Sequence, residues 1–251
     1  MQLRHGQRGF TLTELAITFL IIALLIGGAM MTLSAQVEQR NQDETLRRLN
    51  AAAEAVLAYA IVNRRLPCPA TAGTTGDEAP AGGGACTTWY GGFLPARSIG
   101  LQPTDSAGYG VDVWGNRLRY AAANLITGCT GSSTTPHFTS QANLKANGVS
   151  CRPNDLDVCV SSVGTTATSC NTAARVASVE TVAFIVFSTG KNGATASAYG
   201  ADENENTDAD RVYVTRPPST VDATAGSFDD LMVFVPVGVV YSKLIAAGVL
   251  P

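Results

Sequence analysis

The chain has 251 residues with 17 basic and 20 acidic side chains, which gives a formal net charge of −3 at pH 7. This acidic balance argues against a general role in binding nucleic acid phosphates. Six cysteines are typical of a protein that folds in an oxidising compartment, and the length suffices for one domain with its own core.

The N-terminal region joins a basic segment to an uncharged apolar run. Residues 1–9 contain two arginines and no acid. The apolar run begins at Leu15 and ends at Leu33, and its helical length at roughly 1.5 Å per residue nearly matches a hydrocarbon core of about 30 Å. The sequence therefore predicts a single membrane-spanning helix. Because basic residues favour the cytoplasmic side, we expect the N-terminus in the cytoplasm and the remainder outside.

Glu14 is an isolated acid at the head of this apolar run. Thr11 and Glu14 have the spacing of a capping box, in which each side chain satisfies a free backbone amide of the other residue. A carboxylate at membrane depth otherwise costs about 2 to 4 kcal/mol unless it is paired or lies near the interface. Glu14 can therefore act as part of a helix cap, as the partner of a cationic group, or as both.

Residues 8–15 read Arg-Gly-Phe-Thr-Leu-Thr-Glu-Leu, which resembles the processing site of type IV pilins and type II secretion pseudopilins. The resemblance implies that a prepilin peptidase and methyltransferase cuts after Gly9 and methylates the new N-terminal Phe10. The cut would create an α-amine with a pKa of about 8, mostly charged at neutral pH. Glu14 would neutralise that charge, and pairing between neighbouring subunits would set the register of a growing polymer.

The helical pattern continues beyond the apolar run. Apolar residues recur at three- and four-residue steps at Leu46, Leu49, Ala53, Val56, Leu57 and Ala60. We expect the helix to run to about Asn63, because Pro67 and Pro69 follow. The predicted organisation is a leader at 1–9, a transmembrane and assembly helix at 10–33, its periplasmic continuation at 34–65, and a globular head at 66–251.

The cysteines all lie beyond the apolar run, and we interpret them as structural disulfide partners. They are Cys68, Cys86, Cys129, Cys151, Cys159 and Cys170. Six cysteines allow fifteen pairings, and Cys68 with Cys86 would close the Gly- and Pro-rich segment between them. No Cys-x-x-Cys motif is present, so zinc is not expected.

Residues 112–120 read as a turn that feeds a strand. They resemble the Asp-x-Trp-Gly-Asn-Pro-x-x-Tyr segment of pseudopilin heads, with Arg117 where Pro is usual. We interpret Trp114 as a core residue. The polar segment 128–172 is interpreted as a disulfide-pinned insertion, either a recognition surface or an inert loop.

Three short runs rich in Val, Ile, Phe and Tyr predict strands at residues 182–187, 212–215 and 231–235. We expect one antiparallel sheet with the long helix lying over it. The predicted fold class is therefore α+β, with a long N-terminal helix, transmembrane in its first half, packed on a small antiparallel β-sheet head as in pilins.

An acidic stretch between the first two of these strands gives the predicted metal site. Asp202, Asn204, Asn206 and Asp208 place oxygen ligands at alternate positions, as at the opening of a calcium loop. Thr207 replaces the usual Gly, and a solvated acidic turn is the alternative reading. Some pseudopilin heads bind calcium in an acidic loop near their sheet, so calcium is the one cofactor that the resemblance suggests.

Catalytic patterns are weak. The two histidines are His5 and His137, no Gly-x-Ser-x-Gly motif is present, and Asp229-Asp230 fits either paired acids or a strand cap. We therefore expect no enzyme. The alternatives are a membrane-tethered periplasmic binding module or hydrolase, and a minor pilin that binds DNA or a surface through a basic groove of Arg97, Arg117, Arg119 and Arg152.

The prediction as a whole is a single-pass inner-membrane prepilin-like subunit with a periplasmic head, extracellular once assembled into a pilus. Its expected partners are the prepilin peptidase and methyltransferase, other pilin or pseudopilin subunits, an inner-membrane assembly platform and membrane lipid, without nucleic acid.

Overall fold

The computed structural model describes residues 11–129, 135–195, 199–219 and 226–250, and for residues 28–33 it describes the helical backbone without the side chains. The chain divides into two compact units, Met1–Asp43 and Glu44–Pro251. The second unit contains the C-terminal part of the long helix together with all the strands.

Helix α1 spans Leu12–Asn63, so the expected end of the long helix at Asn63 is confirmed. Within the described ranges, no helix combines the length and the apolar character that crossing a bilayer requires. The membrane span predicted from Leu15 to Leu33 is thus not confirmed.

The remaining elements alternate between short strands and short helices. In chain order they are β1 (Gly92–Phe93), α2 (Ala96–Ile99), β2 (Arg119–Ala122), β3 (Ile126–Thr127), α3 (Gln141–Asn147), β4 (Arg152–Pro153), β5 (Asp157–Cys159), β6 (Arg175–Ala177), β7 (Val182–Ser188), α4 (Ala201–Glu205), β8 (Val212–Val214), β9 (Leu231–Pro236) and α5 (Val237–Ala246).

The main sheet has the strand order β1-β2-β7-β9, and every neighbouring pair is antiparallel. All seven residues of β7 are buried, because the strand lies inside the sheet with its two faces covered. The face of α1 that packs into this core consists of Leu49, Ala52, Ala53, Val56, Leu57 and Ala60. The α+β class and the packing of the helix on an antiparallel sheet are confirmed.

The prediction that residues 212–215 join this sheet is wrong. Strand β8 belongs to a second sheet of order β6-β5-β8, where it runs parallel to β5. Strand β9 instead pairs directly with β7, with Ile185 opposite Phe234. A short run rich in Val and Tyr predicts a half-buried or fully buried strand, but it does not indicate which other strand will pair with it.

Helix α5 was not predicted, although its sequence contains a signal for it. Val240, Tyr241 and Leu244 are spaced one and three residues apart and are all buried. Pro236 ends β9 and precedes the first helical residue, where a missing N–H is harmless.

Three disulfides join cysteines that are close in sequence. The bonds are Cys68–Cys86, Cys129–Cys151 and Cys159–Cys170. The bridge considered between Cys68 and Cys86 is confirmed. The other two lie within the 128–172 segment, which also contains α3, β4 and β5, so the interpretation of that segment as disulfide-pinned is confirmed as well.

Two valines of α1 allow the helix–sheet packing to be tested with the same substitution. Val56 is 0% exposed and Val62 is 78% exposed. We expect Val56→Ala to lower the free energy of unfolding by about 2 kcal/mol, since it removes two buried methyl groups and leaves a cavity. Val62→Ala should change it by less than about 0.5 kcal/mol. Urea titration followed by tryptophan fluorescence measures both, and equal effects would contradict the packing.

Candidate functional site

The first turn of α1 is closed by reciprocal hydrogen bonds between Thr11 and Glu14. The N–H of Thr11 donates to Oε2 of Glu14 at 2.9 Å, and the N–H of Glu14 donates to Oγ1 of Thr11 at 3.3 Å. The Thr11 hydroxyl also donates to Oε2 of Glu14 at 2.9 Å. This is the expected capping box, so the cap is confirmed, while the assembly role of Glu14 stays a prediction.

Behind Glu14, α1 is apolar around its whole circumference. Every side chain from position 11 to position 27 is exposed. The large apolar ones are Leu12, Leu15, Ile17, Phe19, Leu20, Ile21, Ile22, Leu24, Leu25 and Ile26. An apolar surface of this extent is typical of a segment that a partner or lipid covers.

The expected processing site, Gly9 and Phe10, lies outside the described residues. Residues 4–30 match the family model of the prokaryotic N-terminal methylation motif. These residues carry the type IV pilin and pseudopilin signature. The match includes Gly9, Phe10 and Glu14 and ends before the head. No curated protein and no solved structure matches the chain.

In the head that follows the pilin-type segment, Asp112 organises the turn that feeds β2. Its Oδ1 accepts the N–H groups of Trp114 at 2.9 Å and Asn116 at 2.8 Å, and its Oδ2 accepts the Ser188 hydroxyl at 2.6 Å. Nη1 of Arg48 on α1 donates to the Asp112 carbonyl at 2.8 Å. Trp114 packs against the core, so both the turn and the core role of Trp114 are confirmed.

The four predicted calcium ligands do not form a calcium loop. Asp202 and Asn204 lie in α4, where successive side chains turn by about 100° instead of pointing alternately to one side. Asp202 is buried and receives Nε of Arg216 at 2.7 Å. The Asn206 amide donates to Oδ2 of Asp230 at 2.8 Å. Their polar groups therefore hold neighbouring segments together instead of converging on one point.

Asp208, the fourth predicted ligand, lies in a different group of acids. Its carboxylate and those of Glu205 and Asp210 have oxygens within 4.8 Å of one another. Burial raises the pKa of Asp210 to about 6. Asp208 itself is exposed, and this part of the loop fits the solvated acidic turn that was the alternative reading.

A third set of acids, Glu203, Asp229 and Asp230, forms a buried carboxylate cluster. Oxygens of the three side chains lie within 4.8 Å of one another. Glu203 is 0% exposed and Asp230 is 3% exposed. Among the described residues, Oδ1 of Asp229, Oδ1 of Asp230 and Oδ1 of the adjacent loop residue Asn192 have no hydrogen-bond partner. Buried oxygens without partners are rare in folded proteins and call for an explanation.

The carboxylate cluster joins three segments of the head. Oε2 of Glu203 accepts Nδ2 of Asn192 at 2.9 Å and the N–H of Gly200 at 2.8 Å, and its Oε1 accepts the N–H of Asp229 at 2.8 Å. The loop after β7, the start of α4 and the residues before β9 therefore meet here. Burial raises the pKa of Asp230 well above its ordinary value and that of Asp229 to about 6. The sequence showed the Asp229-Asp230 pair but not its partner Glu203, which is remote along the chain.

Three of the four arginines of the hypothetical basic groove each lie close to the carboxylate of a different acidic residue. Nη1 of Arg97 lies 3.8 Å from Asp77, Nε of Arg117 lies 2.7 Å from Asp105, and Nη1 of Arg152 lies 3.0 Å from Glu180. Arg119 stacks over Phe93 at 4.6 Å, and Arg117 lies 5.7 Å from the same ring. The structure thus brings Arg117 and Arg119 together around one aromatic ring.

His137, on which a hydrolase would depend, is a buried structural residue. It is 0% exposed, and its Nε2 lies 3.0 Å from the hydroxyl of Tyr241. Tyr241 donates its hydroxyl hydrogen to the carbonyl of Cys151, so His137 is the donor in the other bond. Burial lowers the pKa of His137 to about 4, which keeps the ring neutral at physiological pH.

The carboxylate cluster predicts a specific pH dependence of stability. A carboxyl whose pKa is raised by folding stabilises the protein below its unfolded-state pKa, and that contribution is lost as pH rises through the folded-state pKa. Asp229→Asn should therefore become more stable relative to the parent protein between about pH 4 and pH 6. Urea titrations in the presence of a chelator measure this difference.

Asp77→Asn provides the control, since it removes a carboxyl whose side chain is 46% exposed. The same titrations of this variant show how far the removal of a carboxyl outside the cluster changes the pH dependence. A stability difference between Asp229→Asn and the parent that stays constant from about pH 4 to pH 6 would contradict the raised pKa of Asp229.

Proposed function

We propose that this chain is a prepilin-like subunit whose activity is assembly into a filament and not turnover of a substrate. It is cut after Gly9 by a prepilin peptidase, methylated on Phe10, and assembled through α1 into a type IV pilus or a type II secretion pseudopilus. The match of residues 4–30 to the N-terminal methylation motif carries this proposal. Its further partners are other pilin or pseudopilin subunits and an inner-membrane assembly platform.

The proposed location is the inner membrane, with the N-terminus in the cytoplasm and the head in the periplasm. The uncharged run from Leu15 to Leu33 supports a lipid-embedded segment before assembly. Three disulfides in the head support an oxidising compartment beyond that membrane. In a pilus the same head would reach the cell exterior.

Glu14 has the central role in this proposal. Its carboxylate is exposed and is held by the N–H of Thr11, the residue that follows Phe10. After cleavage, the positively charged α-amine of Phe10 is created at the N-terminal end of the same helix. A subunit that docks onto the filament can then pair its own amine with Glu14 of a neighbour, which fixes the axial register.

Two substitutions separate this pairing from helix capping. Glu14→Gln keeps an oxygen that can accept the Thr11 N–H, because Gln also completes a capping box, but it removes the charge. Glu14→Ala removes both. We expect both variants to lose filament assembly, measured by electron microscopy and immunoblotting of sheared filaments, because pairing requires the charge.

Asp43→Asn removes a charge elsewhere on α1 and should assemble normally. Mass spectrometry of the parent protein should show an N-terminus that begins with methylated Phe10. Normal assembly of Glu14→Gln would show that Glu14 acts only as a helix cap. An unprocessed N-terminus in cells that contain the peptidase would contradict the proposal that the chain is a prepilin-like subunit.

We further propose that the head binds a divalent cation, Ca²⁺, at the carboxylate cluster of Glu203, Asp229 and Asp230. The supporting observation is the set of buried oxygens without partners, Oδ1 of Asp229, Asp230 and Asn192, among the described residues. Carboxylate and amide oxygens are the ligands that hard cations prefer. A cation would also offset the burial and the mutual repulsion that raise the pKa values of Asp229 and Asp230.

Calcium should therefore raise the melting temperature of the protein above pH 6, where the acids are increasingly ionised. At a hundred times the dissociation constant the stabilisation is about 2.7 kcal/mol. Asp230→Asn should abolish the shift, whereas Asp208→Asn in the more exposed acidic group should keep it. A melting temperature that does not respond to calcium, or that responds equally in both variants, would reject this site.

A further inference from the structure

A small pocket in the head is lined by the end of α1, by α3 and by the turn after α5. Its volume is about 210 Å³, and its lining comprises Arg64, Gln141, Leu144, Lys145 and residues 248–250. This volume is several times the roughly 30 Å³ of one water molecule and lies below the range of about 300 to 1,000 Å³ for drug-sized ligands. The pocket therefore suits one small chemical group.

Among the described residues, the charged side chains that line this pocket are all positive. Arg64 and Lys145 are its charged lining residues, and no described residue of the lining is acidic. Most other cations of the head have a carboxylate partner. These pairs are Arg65–Glu78, Arg97–Asp77, Arg117–Asp105, Arg152–Glu180, Arg175–Asp157, Arg216–Asp202 and Lys243–Glu54.

By contrast, the side chains of Arg64 and Lys145 have neither an ion pair nor a hydrogen bond within the described part of the chain. Lys243 on the neighbouring helix α5 does not line the pocket and is paired with Glu54 on α1 at 3.5 Å. Although the chain has a net charge of −3, two unpaired cations in one concave site give that site a positive electrostatic potential.

The walls of the pocket are held in place before any ligand arrives. Arg64 adopts a left-handed backbone conformation, with φ of 57°, directly after α1 ends, which a non-glycine residue adopts only at a cost. Leu144 is 1% exposed and anchors α3 in the core. Leu250 is 5% exposed, and its N–H donates to the Leu244 carbonyl at 3.4 Å. The backbone around the pocket is thus ordered, whereas the exposed side chains of Arg64 and Lys145 lose rotamer freedom when they close on a ligand.

We propose that this pocket binds a small oxyanion, a carboxylate or phosphate group, between the guanidinium of Arg64 and the ammonium of Lys145. Both cations offer only hydrogen-bond donors, and charge-assisted bonds to carboxylate or phosphate are their strongest contacts. The Gln141 amide adds a neutral donor. Val249, which is partly exposed, offers apolar surface to the part of the ligand that carries the anionic group.

The test is an NMR titration of the full chain in detergent micelles with sodium phosphate and, separately, with sodium acetate. Sodium chloride keeps the ionic strength constant. We expect saturable amide shifts limited to residues 141–145 and 248–250, with a dissociation constant on the order of 1 mM. The anion that saturates at the lower concentration identifies the preferred class. Shifts that never saturate, or that chloride alone reproduces, would overturn the proposal.

Variants locate the binding in this pocket. Arg64→Gln and Lys145→Gln should each weaken the binding at least tenfold, and circular dichroism should show that both variants stay folded. Arg97→Gln is the matched control, because Arg97 lines another pocket of the head but is paired with Asp77. Undiminished binding by Lys145→Gln, which leaves the strained backbone at Arg64 untouched, would also overturn the proposal.

Discussion

The head depends on the contact between one face of α1 and the four-stranded sheet. Alanines at positions 52, 53 and 60 let the helix approach closely, and Leu49, Val56 and Leu57 fill the space between them. Burying each of the larger side chains contributes about 1.5 to 3 kcal/mol as an upper estimate. Because β7 lies in the middle of the sheet and is wholly buried, it can exist only while both of its faces are covered.

Around that core, much of the chain runs in loops, and buried carboxylates hold these loops in place. Each accepts at least one backbone N–H from a loop or turn, and the acids are Glu78, Asp112, Asp155, Asp157 and Asp202. Charge-assisted bonds of this kind offset the cost of burying the acid. The Glu203, Asp229 and Asp230 cluster differs because it brings three acids within 4.8 Å of one another. Two of their described oxygens have no partner, as is also true of Oδ1 of Asp155, so it is the concentration of acids that supports the proposed ligand role.

Short-range sequence patterns predicted the features of α1 that depend on residues close together in the chain. Pro67 and Pro69 marked the end of α1, three- and four-residue spacing marked its buried face, and Thr11 with Glu14 marked its cap. Strand pairing and site assembly are decided by residues far apart in the chain. Hydrophobic periodicity therefore could not predict that β8 joins a separate sheet or that Glu203 lies next to Asp230. The alternating spacing expected of a calcium loop does not place its side chains on one side, because residues 201–205 form a helix.

The two roles proposed for Glu14, helix cap and ion-pair partner, are energetically compatible. A capping interaction is worth about 1 kcal/mol, so the bonds to Thr11 order the first turn without holding the carboxylate irreversibly. Pairing with a charged amine in a site where lipid or protein excludes water is stronger, because the effective dielectric is lower. In the uncut sequence Phe10 carries no free α-amine, and within the described residues the Glu14 carboxylate is held by its cap. In the proposed pathway, the cut would supply this stronger partner when the subunit becomes competent to join a filament, and the same carboxylate would exchange its cap for the ion pair.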